Sequence, residues 1–142
     1  MNRRTSKRLS RQLVEAAGHG STARVEALIG AGADPDGRDA DGTTALYVAS
    51  VQGNPDSVRA LLDHGADPNA HSDGPTDGTP LCAAACWGHV ETVRALLAGG
   101  ADPGLREDDG EGLSPLEWAV REEQEDVARL LREALPTTAD GT

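Results

Sequence analysis

The chain has 142 residues with no Phe, one Tyr and two Trp, so any core must be filled by Ala, Leu and Val, which favours closely spaced helices over a β-sandwich or barrel. Its formal charge is −11, and five of its 13 bases (Arg3, Arg4, Lys7, Arg8, Arg11) crowd the first eleven positions, leaving 24 acids against 8 bases elsewhere, a net of −16. A body this acidic repels phosphate backbones, which argues against nucleic-acid binding by the folded part; it draws a basic partner surface, or simply keeps the chain soluble.

In chain order, the basic start over 1–8 precedes no hydrophobic stretch of signal-peptide type and reads as a frayed, solvated tail. An apolar stripe at helical spacing follows (Val25, Leu28, Ile29), then the tetrad "GADP" at 32–35. Both signals return: Val58, Leu61, Leu62 before GADP at 65–68, and Val93, Leu96, Leu97 before GADP at 100–103. Steps of 33 and 35 residues between tetrads are the mark of a structural repeat. In each, glycine ends the helix by turning left-handed, and Asp-Pro prevents its continuation.

A second signal opens another helix in each unit: "TALYVAS" from Thr44, "TPLCAAA" from Thr79 and "SPLEWAV" from Ser114. The hydroxyl is an N-cap, and proline fits the first helical position because its missing donor would be unpaired there anyway. Leu46, Leu81 and Leu116 point inward, and the small residues Ala49, Ser50, Ala84, Ala85 and Ala119 mark where helices come closest. Gly53, Gly88 and Glu123 occupy the turn before the next helix, which Asn54 caps in one unit and which starts near His89 in another. At the end, Val127, Leu130 and Leu131 read one place early, leaving Arg132 where a leucine would face a further unit; 136–142 form a tail.

These units resemble ankyrin repeats, with the Thr-Pro-Leu start and Gly-Ala-Asp ending of that family. The resemblance implies an all-α solenoid of stacked helix-turn-helix units joined by hairpin-like turns. Four repeats, two internal and two capping, fall at about 9–38, 39–71, 72–105 and 106–135. The family's histidine after Thr-Pro-Leu is replaced by Tyr47, Cys82 and Glu117, and the turns before Thr79 and Ser114 are two residues longer than the first, which lengthens the hairpin fingers. Family members dock partners on finger tips and on the exposed side of the first helices, which here means 38–43, 71–78 and 106–113 together with Gly18, His19, Val51, Gln52, Cys86, Trp87, Arg121 and Glu122.

Trp87 is the first candidate among these, with Tyr47 and Val51 expected as its neighbours; an exposed tryptophan beside apolar groups has the composition of a hot spot, although it could instead lie flat on its own repeat. Trp118 sits further inward and is expected in the core. Asp39, Asp41, Asp73, Asp77, Glu107, Asp108, Asp109 and Glu111 should line one edge of the groove and steer a partner offering Arg or Lys; turns also favour Asp for local reasons. Cys82 and Cys86 share a helix face with His89 following, which raises a metal- or redox-responsive alternative, but the second pair of ligands that zinc sites use is missing. No nucleophile elbow, phosphate loop or metalloprotease helix occurs. The expectation is therefore a non-enzymatic, cofactor-free, monomeric protein-binding module, inhibiting or regulating an enzyme through Trp87, Tyr47, Val51, Gln52, Cys86, Asp41, Asp77, Asp109 and Arg121. The absence of a bilayer-length apolar run, two cysteines four apart and an excess of arginine over lysine suit a reducing bacterial cytoplasm.

Overall fold

A computed structural model of the chain describes residues 2–74 and 77–136, with only the backbone of Asp109. Eight α-helices stand among the described residues: α1 Arg3–Gly18, α2 Thr22–Gly30, α3 Ala45–Gln52, α4 Pro55–Asp63, α5 Pro80–Trp87, α6 Val90–Ala98, α7 Pro115–Arg121 and α8 Glu125–Ala134. Odd-numbered helices pack in one row (α1 on α3, α3 on α5, α5 on α7) and even-numbered helices in a second, with each pair packed across the rows. Three fingers project between units. The first two close with isolated antiparallel bridges, Arg38 to Thr44 and Ser72 to Gly78, and the third holds one 3-10 turn, Asp108–Gly110.

Local chemistry sets each boundary. The hydroxyls of Thr44, Thr79 and Ser114 accept from the amides of Tyr47, Cys82 and Glu117 at 3.2–3.3 Å. In the last case the Glu117 carboxylate accepts from the Ser114 amide in return, a full capping box that, with Arg106 at 2.8 Å, lowers the Glu117 pKa. The repeated tetrad is a complete helix stop. Its glycine takes φ of 108, 95 and 97° at Gly32, Gly65 and Gly100; its alanine is buried; and its aspartate accepts from the amide two residues on at 2.9 Å. The units are then tied through the same turn: Asp36 accepts from the Asp67 amide at 2.8 Å, and Asn69 from the Asp102 amide at 2.7 Å.

The core is aliphatic and thin. Leu13, Val25, Val58, Leu61, Val93, Leu96 and Leu131 are fully buried, and so are Ala49, Ser50, Ala84, Ala85 and Ala119, where neighbouring helices meet. Leu46 and Leu81 are buried as expected, while Leu116, in the last unit, is only partly covered.

Two expectations change. Over residues 2–8 the basic segment is not frayed: α1 runs from Arg3, with Asn2 capping the Thr5 amide at 2.8 Å. Asn54 stands at the N-cap position of α4 but makes no cap bond, because its side chain is engaged with the preceding unit. The last stripe does sit one place early: counted from the helix start, Val127 takes the buried place of Thr92, Leu130 that of Ala95 and Leu131 that of Leu96, which leaves Arg132 in the place of Leu97.

Candidate protein-binding face

The exposed face of the odd-numbered helices is ordered by the turn that follows each. His19, Gln52, Trp87 and Glu122 each precede the turn residue (Gly20, Gly53, Gly88, Glu123) and form one exposed row across the four units. Gly18, Val51, Cys86 and Arg121 form the row behind it, with Val51 and Cys86 half-buried and Arg121 exposed. Trp87 is 63 % exposed, so the indole does not lie flat on its own repeat.

Tyr47 is not its neighbour. Tyr47 sits in the first turn of α3 and Trp87 at the last position of α5, about five residues apart along parallel helices, or roughly 7.5 Å of axial rise. Moreover Tyr47 is only 6 % exposed, and its hydroxyl donates to the Asp77 carbonyl at 3.1 Å. It props the second finger from below and offers a partner little area. Gln52 and Glu122, in the same row, flank Trp87 instead.

Trp118 packs against the core and points its indole N–H at Glu107 at 2.9 Å, while the Arg121 guanidinium lies 5.5 Å from its ring centre. Among the described residues the other large exposed hydrophobic group is Val120, 54 % exposed on the outer face of the last unit, where the equivalent Ser50 and Ala85 are covered by the unit that follows.

The finger acids divide into two sets. Asp39 turns inward to the Asp41 and Thr43 amides, and Glu107 accepts from both the Thr79 amide and Trp118. Asp73 lies 3.5 Å from Arg38 and 3.6 Å from His71. Asp41, Asp77, Asp108 and Glu111 face solvent without an ion pair among the described residues; the side chain of Asp109 lies outside them. The fingers brace one another: Arg38 donates to Gly42 and His71 carbonyls at 2.8 and 2.9 Å, Thr43 to the Asp73 carbonyl, and the Asp73 amide to Gly42. The acidic edge is therefore held in shape.

No unit of this face assembles the thiol–imidazole trio. Cys82 turns its thiol toward the Leu113 carbonyl at 3.7 Å, and burial pushes its pKa up to about 12. Burial also raises that of Cys86, so both remain thiols at neutral pH, the form that neither attacks nor binds metal. His89 commits its Nε2 to the Val51 carbonyl at 2.9 Å. His71, Asp77 and Asp108 do bring one ligand atom each within 4.8 Å of one another, but three largely exposed ligands offer a cation only part of a shell.

Sequence reasoning missed what stitches the odd row together. Asn54, His89 and Gln124 each follow the turn residue, and each reaches back to a carbonyl of the preceding odd helix: Ala17 at 3.1 Å, Val51 at 2.9 Å and Cys86 at 3.1 Å. The available signal was a polar residue recurring at steps of 35 directly after the turn. The turn glycine lies beneath this brace. A Cβ on Gly53 would meet the His89 ring at 2.6 Å, and one on Gly88 would meet Gln124. Glu123 can replace glycine at φ 60° because among the described residues no brace lies above it.

Stacked two-helix units with a braced finger edge and an open row of side chains define a repeat-solenoid recognition scaffold. A family model described as ankyrin repeats (3 copies) matches residues 11–72 and again 69–140, and the chain belongs to the ankyrin-repeat family. Ankyrin repeats are in general protein–protein interaction modules, and no described helix is long and apolar enough to cross a membrane.

Proposed function

We propose that the chain captures another protein in the groove between its odd helices and its fingers, without catalysing a reaction, and so inhibits or regulates the protein it holds. Trp87 carries this reading. A 63 % exposed indole costs solvation and stabilises little within the fold, whereas a large rigid aromatic at the centre of a concave row is the usual anchor of a protein interface. Gln52, Val51, Cys86 and Arg121 surround the anchor, and Asp41 and Asp77 supply the acidic edge. The complementary surface is an apolar pocket rimmed by Arg or Lys, drawn in by charge and fixed by burial of the indole. Rigid fingers lower the ordering cost of association. Free thiols of raised pKa suit a reducing compartment such as the cytoplasm.

The test is affinity capture from the native cell with wild type and Trp87→Ala in parallel, read by mass spectrometry. A protein retained by wild type and lost on the variant, with unchanged melting temperature of the bait, is the expected result. Identical sets of retained proteins on both baits would refute the reading.

A further inference from the structure

The acidic fingers leave unexplained the strongest cationic feature of the chain. Arg4, Lys7, Arg8 and Arg11 recur at i, i+3, i+4 and i+7 of α1 and so form one stripe along it. Together with Arg38, Asp39 and Ala40 of the first finger, the stripe lines an open groove of about 680 Å³. Arg38 is fixed there by its bonds to two carbonyls, and the Asp39 carboxylate is turned to its own finger's amides.

Elsewhere most arginines are neutralised locally, Arg24 and Arg132 apart. Arg59, Arg94 and Arg129 each pair with the acid three residues before, at 3.1, 3.4 and 3.7 Å, and Arg106 pairs with Glu117. None of Arg4, Lys7, Arg8 and Arg11 has an ion pair among the described residues. Arg4 also stands in the first turn of its helix, where the macrodipole disfavours positive charge, and no acid occupies that turn to offset it. The arrangement is mildly unfavourable to the fold, and an external anion relieves it.

We infer that this groove binds an acidic segment of a polypeptide, as a docking site separate from the Trp87 row. The stripe spans about 10 Å of axial rise, the length of roughly three to four extended residues. A nucleic-acid duplex carries a charge every ~1.7 Å and runs on past the stripe, and a membrane plane extends equally far; both would bring their phosphates against the acidic fingers. A short acidic segment ends where the cations end.

Fluorescence anisotropy with a labelled peptide bearing four consecutive glutamates tests this on the full chain. Wild type should bind it 1:1, more weakly as salt rises. Arg4→Gln/Lys7→Gln/Arg8→Gln/Arg11→Gln should lose at least tenfold in affinity, whereas the charge-matched control Arg24→Gln/Arg59→Gln/Arg94→Gln/Arg129→Gln and Trp87→Ala should stay within about twofold. Circular dichroism checks the folding of every variant; should the quadruple stripe variant be unfolded, Arg8→Gln and Arg11→Gln singly should each lose two- to fivefold. The inference is overturned by no binding to wild type, by equal loss in stripe and control variants, or by tighter binding of a duplex or anionic vesicles. It is equally overturned by a wild-type dimer in sedimentation that the stripe variant abolishes, since the groove would then hold a second copy. Because the peptide is expected on the α1 stripe and not on the Trp87 row, failure of this assay leaves the proposed capture of a partner by that row untouched.

Discussion

Gly53→Ala probes the joint between the second and third units. The substitution acts twice. At φ 70° an L-residue carries roughly 1–2 kcal/mol of strain that glycine avoids. The new methyl would also lie 2.6–2.8 Å from three atoms of the His89 ring, closer than real Cβ contacts, so the ring must move off the Val51 carbonyl, a bond of 2.9 Å worth about 1 kcal/mol. The stiffer unfolded chain returns roughly 0.5–1 kcal/mol. The expected net loss is about 2 kcal/mol, measured by urea unfolding followed at 222 nm. In a His89→Ala background only the strain remains, so the same change should cost about 1 kcal/mol less. Equal costs in the two backgrounds would refute the placement of the imidazole over the glycine.

Leu96→Ala, at a fully buried site of α6, should cost about 2–5 kcal/mol in the same assay, and a wild-type midpoint would contradict the packing of the even row. Thr92→Val should gain about 1 kcal/mol: the buried Thr92 hydroxyl has no hydrogen-bond partner among the described residues, and valine already fills the equivalent position at Val127. The Cys82 thiol, raised from the ordinary 9 to about 12, binds its proton more tightly folded than unfolded, so its contribution is complete below pH 9 and declines as pH rises from 9 toward 12. Cys82→Ala should flatten the alkaline limb of the stability profile, and a thiol reagent at pH 8 should modify Cys86 well before Cys82.

Much of the architecture was legible in the sequence because repetition makes local signals reinforce one another. The caps at Thr44, Thr79 and Ser114, the tetrad stops and the aliphatic stripes are each short-range devices whose geometry follows from residue type and spacing, and all three kinds lie where the repeat put them. The error over Asn54 came from reading such a residue locally: its position is that of a cap, yet its amide serves the neighbouring unit. Tyr47 and Trp87 show the same limit for the candidate site. Both stand on first helices of inner units, but which side a residue shows, and how far along the helix, depends on how the next unit lies across it.

The sequence by itself determined the repeat, the helix boundaries from the first tetrad onward and the aliphatic interior, since these rest on backbone propensity and on apolar spacing within about ten residues. Only the tertiary structure decided that Trp87 is open while Tyr47 is covered, that Asp39 and Glu107 are spent inside the fold, and that the basic start is a helical stripe beside the first finger. Exposure, and contacts such as those of Arg38 with His71 and of Glu107 with Thr79, arise where surfaces of units some 30 residues apart meet, and no spacing within a single unit encodes them.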